Sequence, residues 1–286
     1  MAKTKNVLEH DPTRTITLRN KAVSEINRRF GKIKQLINES IITNKIFVDN
    51  AKALKKEDFV FLRTPQKLEK FDDWLASVIN ELILTGNASP DSTQLNWLLQ
   101  YFQESYTRGA KKANTEVANV LGRNQVPERI SVTTIPFHVD KLQLLFSRDF
   151  TQLKGITEAM SQQINYQLSQ GLLQGQNPNV IAKNLTNRVD KIGISRSRLL
   201  ARTEIINTLN LGKINEAELL EEILGEKIVM QWQTAGDDRV RQTHVSRNGK
   251  YYTPEKTATL IGEPNCRCAT VATPVSAVPE NRKVIS

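Results

Sequence analysis

The stretch "GEPNCRCATV", Gly262 to Val271, carries both cysteines of the chain, Cys266 and Cys268, one residue apart. The β-branched run that follows them reads as a strand. Its partner lies upstream in "KIVMQWQT", Lys227 to Thr234, where Ile228, Met230 and Trp232 alternate with Val229, Gln231 and Gln233. Between the two, "GDDRVRQTH" reads as a loop running into one helical turn. Asn248-Gly249 is the favoured central pair of a type I′ hairpin. These signals predict a short antiparallel β-sheet near the C-terminus. Residues two apart on a strand share a face, so both thiols point at one site or into one core. Three readings stay open for the pair: small hydrophobes packed at a β-corner, ligands of a structural zinc, or a redox couple. A bridge across a single residue would strain the last. The zinc reading draws on Cys266, Cys268 and His244, with Asp237 or Asp238 as fourth donor, because a structural zinc wants four such ligands in a closed tetrahedron.

Upstream of Gly225 the grammar is helical. Leu18, Ala22, Ile26, Phe30, Ile33 and Ile37 recur at helical spacing, with Arg19, Arg28, Arg29, Lys32 and Lys34 away from that stripe. Such a basic amphipathic helix is either a solvated face or a surface for DNA phosphates or an acidic partner. A less regular segment leads to a helix with Thr64 as N-cap, Pro65 at its first position and Gly86 as its stop. Another helical unit runs from Ser89 to Gly122. "NQVPERISVTTIPFH" reads as a connector, and a long helix then carries Leu142, Phe146, Phe150, Leu153, Ile156, Met160, Ile164 and Leu168. A second basic group, Arg188, Lys191, Arg196, Arg198 and Arg202, surrounds an expected helix break at Gly193. The fold class is therefore mainly α with a small C-terminal α+β module. Its segments are an N-terminal helical region (1–123, with a disordered leader over 1–11), a connector (124–138), a central helical region (139–224), the β-containing module (225–275) and a flexible tail (276–286).

Composition narrows the function. Forty Lys plus Arg against thirty Asp plus Glu give the 286 residues a formal charge of +10, which favours polyanionic partners, double-stranded DNA above all. No apolar run is long enough to span a membrane. No secretory signal is expected, and two cysteines exclude a disulfide framework and suit assembly in a reducing cytoplasm. Walker and dinucleotide-binding glycine loops are absent, as is a Gly-x-Ser-x-Gly elbow. Asp237-Asp238 invites a magnesium-nuclease reading, but adjacent carboxylates point apart, and a local turn role beside Arg239 and Arg241 is more economical.

In order along the chain stand "ARTEIINTLNLGK" (Ala201 to Lys213, with Arg202 and Glu204), Trp232, Asp237-Asp238-Arg239, His244, Gly249, and Asn265-Cys266-Arg267-Cys268. This string, over about Leu199 to Val271, resembles the Mu F-like minor head proteins, head morphogenesis proteins of tailed bacteriophages. This chain has Arg241 where many relatives place a second Cys or similar donor. The resemblance implies a low-copy virion component incorporated during procapsid assembly, and the lack of a catalytic constellation and the cysteine usage add the expectations of a non-catalytic protein assembled in the host cytoplasm. Its implied partners are the phage portal protein, other capsid or scaffolding proteins, and packaged or ejected DNA. A metal-dependent nuclease and a host-directed protein ejected with the genome are the competing expectations.

Overall fold

The computed structural model describes residues 11–47, 52–55, 58–61, 64–86, 94–128 and 131–286. Residues 1–10 of the expected leader, and Ser89, lie outside them. Asp11, the last leader residue, is buried, accepts from Thr13 and pairs with Arg19 at 2.7 Å.

The helices are α1 (Ile16–Asn38), α2 (Thr64–Ile79), α3 (Leu99–Leu121), α4 (Pro136–Leu173), α5 (Pro178–Arg188), α6 (Ser195–Leu224), and the short α7 (Gln242–Val245) and α8 (Pro254–Leu260). Strands β1 (Lys52–Lys55) and β2 (Asp58–Val60) form an antiparallel pair that the sequence did not announce. Strands β3 (Ile228–Gln233), β4 (Tyr251–Tyr252), β5 (Ala269–Pro274) and β6 (Val284–Ile285) make a second sheet. No described helix is long and apolar enough to cross a membrane.

Packing divides the chain into two units, one comprising residues 1–22, 88–149 and 201–286, the other 23–87 and 150–200. Three of the four boundaries fall within α1, α4 and α6, and none at the connector. Helix α4 begins at Pro136, so His138 belongs to it.

In the first unit α3 and α6 approach backbone to backbone. A Cβ on Gly109 would stand 2.0 Å from the Leu209 carbonyl oxygen, and one on Gly212 would stand 2.2 Å from that of Tyr106. Ser105 Oγ donates across the same crossing to the Ile205 carbonyl. Beside it Ala113, Val117, Ile214, Ala217 and Leu220 pack on Ile228, Met230 and Ala272. A polar chain is buried in this core. Asn215 donates to the Tyr106 hydroxyl (2.9 Å), which meets His138 Nδ1 (2.9 Å). His138 Nε2 meets Glu216 (2.9 Å), and Asn114 donates to the other Glu216 oxygen (3.2 Å).

The sheet has the order β5-β3-β4-β6. Strands β3 and β5 run antiparallel with Trp232 opposite Thr270, as the alternation predicted. Two expectations are corrected. The sheet is mixed, because β6 joins β4 in parallel, and the expected flexible tail instead supplies that strand. Nor is the β3–β4 link a type I′ hairpin. It is a long excursion through α7 that closes in a turn from Arg247 to Lys250, where Gly249 alone takes a positive φ (73°). Asn248 uses its side chain instead, accepting from the Thr234 N–H.

The outer edge of β5 is bonded to helix side chains. Glu116 on α3 accepts from the Ala272 N–H (2.9 Å). Asn210 on α6 accepts from the Thr270 N–H (3.1 Å) and donates to the Cys268 carbonyl (3.1 Å). Lys213, fully buried, donates to the Thr270 carbonyl and pairs with Glu116 at 2.7 Å. Burial pulls its ammonium down to about 8, against the favourable charge of Glu116.

In the second unit the apolar stripe of α1 is buried from Ile26 to Ile37. Helices α1 and α2 each end in a π-helical turn, Glu39–Thr43 and Asn80–Leu84. Thr64 does not cap α2 through its hydroxyl, which donates back to the Phe61 carbonyl. Gly193 is no break. It lies in a π-helical turn, Val189–Ile194, joining α5 to α6, and a Cβ there would sit 2.6 Å from the Phe30 ring.

Candidate metal cluster and basic face

Three of the four expected ligands come together. One ring nitrogen of His244 and the Cys266 and Cys268 sulfurs all lie within 4.8 Å of one another. His244 rides on α7, and the cysteines flank Arg267 on the way into β5. Its Nδ1 faces both sulfurs, Cys268 at 3.3 Å and Cys266 at 3.5 Å. Its Nε2 meets Glu263 at 2.9 Å. A carboxylate on the far ring nitrogen fixes which nitrogen is presented and raises its basicity, the usual support for a histidine ligand. The ring is 1% exposed and stands edge-on to Trp232 at 5.7 Å, with Arg247 over the indole at 5.3 Å.

The fourth expected ligand does not join. Asp237 is gripped by Arg267 through two 2.6 Å contacts, with Arg239 at 3.3 Å, and its carboxyl is held well below the usual range by those guanidiniums, Arg267 first. An acid locked this way is not available to a metal, and the same clamp removes it from a magnesium-nuclease pair with the exposed Asp238. Its Oδ1 also accepts from the Arg239 N–H, the local turn role expected from sequence.

The donor set, two thiols and one imidazole nitrogen, fits zinc. A cleft of about 20 Å³, lined by Arg241, Asn265, His244 and the two cysteines, adjoins it and has room for one water as a further ligand. The two thiols differ. Cys266 is drawn down to about 6, first by the hydrogen bond from Cys268 and then by the Cys268 N–H and His244. Cys268 is pushed up because it shares its proton with Cys266 and is more deeply buried. Such a pair readily carries one thiolate, the first step toward metal ligation.

Backbone geometry sets these positions. Asn265 adopts φ 57°, a left-handed conformation that Asn tolerates, and its N–H is taken by Thr203 of α6 (3.1 Å). Cys266 N–H turns back to the Glu263 carbonyl at 3.0 Å. Arg241 holds the Pro264 carbonyl (2.6 Å) and approaches Glu263 (3.5 Å), so it braces the loop that carries the cluster. Glu204 lies apart from the cluster, bound to Arg148 and Asn207.

Residues 162–271 match the family described as phage Mu protein F like protein. Over that stretch the chain is similar to the Mu F-like phage head morphogenesis proteins. Neither a curated protein nor a solved structure matches the chain. The Mu F-like stretch runs from the second half of α4 to β5, and so contains the whole cluster.

Eight of the ten basic residues singled out for DNA lie in the second unit, where the structure meshes their two groups. Lys34 pairs with Asp190 at 2.7 Å, and Arg198 donates twice to Asn27. Lys32, Lys191 and Arg196 are exposed there, and Arg188 is half-buried. Arg28 and Arg29 share Glu25, whose carboxyl they hold at about 2. Arg19 and Arg202 belong to the first unit.

Sequence reasoning missed Glu263. The signal was there, an acid three residues before Cys266, but its contact with His244 depends on a turn that only the folded loop reveals.

Proposed function

We propose that this protein is a minor capsid component, incorporated in few copies at the portal during head assembly, that acts by contact and not by catalysis. The observation that carries the reading is the Mu F-like match over a module whose His, Cys and Asp-Arg residues are engaged in holding that module together. Cys266, Cys268, His244 and Glu263 form the zinc-type cluster, and Asp237 with Arg267 ties down its entry loop. When bound, zinc would supply a cross-link between α7 and β5. The partners are the portal protein, other capsid or scaffolding proteins, and DNA.

DNA contact falls to the meshed basic face of the second unit. Asp190 and Glu25 offset part of its charge, and Lys32, Lys191 and Arg196 stand exposed on it together with Arg28. Engaging three or four phosphates would make log affinity fall by roughly three units per log unit of salt, without sequence preference. The test is co-purification with portal from infected cells, with the mass of the complex measured by native mass spectrometry. A complex of a few copies per portal ring is expected. A chain absent from both procapsids and mature particles would overturn the reading, as would nuclease turnover abolished by His244→Ala.

A further inference from the structure

A cleft of about 310 Å³ opens in the second unit between the π-helical end of α1 and the first turns of α2. It shares no residue with the metal cluster or the basic face and is independent of the head-assembly reading. Its walls are apolar: Phe71 and Trp74, with rings 5.2 Å apart, and Ile46. Its polar lining includes Ser40 and two lysines, and among the described residues no acid lines it. Lys70 is exposed at the rim. Lys67 Nζ, by contrast, is buried and has no hydrogen-bond partner among the described residues.

A buried ammonium with no acceptor is costly, because it has lost water and gained nothing in exchange. Proteins tolerate this where a ligand completes the pair. The cleft's volume is that of a small-molecule or side-chain site. We propose that it binds a carboxylate carried on an apolar body, the carboxylate meeting Lys67 Nζ and Ser40 while the apolar part stacks on Trp74 and Phe71. A single ammonium matches a single negative charge. Duplex DNA is excluded as occupant by shape, since its phosphates flank a wide, hydrated helix that cannot follow a side chain into a cleft lined by Phe71 and Trp74. The same chemistry is offered by a free aryl- or alkyl-carboxylate and by an acidic residue beside an apolar one on a partner polypeptide.

The chain has three tryptophans, Trp74, Trp97 and Trp232, so indole-¹⁵N labelling of the full-length protein gives a readout specific to the site. The probes are 3-phenylpropanoate, its neutral amide, the peptide acetyl-Leu-Phe-Glu-amide and its Glu→Gln counterpart. The proposal expects a saturable shift of the Trp74 signal alone, with each acid binding about tenfold or more tightly than its neutral form, as a charge-assisted hydrogen bond requires. Lys67→Met and Lys67→Gln should each abolish that preference while leaving the Trp97 and Trp232 signals in place. Tighter binding of the peptide identifies a polypeptide source, and tighter binding of the free acid a small-molecule source. Equal binding of acid and amide would overturn the proposal. So would a preference that survives both substitutions, a Trp74 signal unmoved by either acid, or displacement of the bound acid by duplex DNA.

Discussion

Glu216 is the most informative residue to perturb, because its two oxygens end a polar chain that ties α3, α4 and α6 together with no access to water. Both it and His138 are 0% exposed. At least two donors among the described residues depend on Glu216. If the Tyr106 hydroxyl accepts from Asn215 and gives its proton to His138 Nδ1, then His138 Nε2–H and Asn114 Nδ2–H both need Glu216. Glu216→Ala leaves two buried donors without acceptors and opens a cavity, a loss of about 3–5 kcal/mol. Glu216→Gln keeps the volume but brings one oxygen and one NH₂ to a place that needs two acceptors. Flipping the imidazole tautomer only moves the orphan to the Tyr106 hydroxyl. One unsatisfied group costs about 1–3 kcal/mol, so Gln should fall between wild type and Ala. Urea unfolding followed by tryptophan fluorescence in a Trp74→Phe background reports on the first unit alone, through Trp97 and Trp232. Two variants that both unfold within about 0.5 kcal/mol of wild type would refute the donor count, as would Gln being no better than Ala.

Three further outcomes are expected. Gly212→Ala should cost about 3 kcal/mol or more in the same unfolding assay, since its new methyl would meet the Tyr106 backbone at 2.2 Å; a neutral result would mean that α3 and α6 do not touch there. Burial, reinforced by the charge of Glu204 and opposed by Arg148, raises Asp149 to about 7, so between about pH 4 and 7 the folded state holds a proton that the unfolded state has lost. Stability contributed by that proton is present at low pH and disappears as pH rises through 7, so Asp149→Asn should gain on wild type between pH 5 and pH 8, and parallel stability curves would refute the shift. Protein purified without chelators should carry one zinc per chain by elemental analysis. His244→Ala and Cys266→Ser should each lose it while Asp237→Asn retains it; retention by His244→Ala would remove the cluster reading.

The helices were legible because their signal is local. The α1 stripe, the Trp232 alternation and the single turn at His244 each needed only a period of a few residues. What escaped was short or depended on distance. Strands β4 and β6 have two residues each and no period to read. Helix α8 did have a start signal, Thr253-Pro254, the same pair that opens α2, and Thr253 does cap it by accepting from the Lys256 N–H. At the site, residue types singled out His244, Cys266 and Cys268, which the fold does bring together. They failed for Asp237, whose true partner Arg267 lies thirty residues away, and for Glu263, whose role depends on a left-handed Asn265. His138 looked like a connector residue because its partners, Tyr106 and Glu216, lie far off in the chain.

The side chains of Glu116, Asn210 and Lys213 along β5 have a consequence for how such a protein behaves at high local concentration. An open strand margin is a template on which further copies can stack into fibres. Here one margin of the C-terminal sheet is already taken up by helix side chains at Thr270 and Ala272, and the opposite one is a strand of only two residues. Strand-on-strand polymerisation therefore finds little edge on this sheet from which to start.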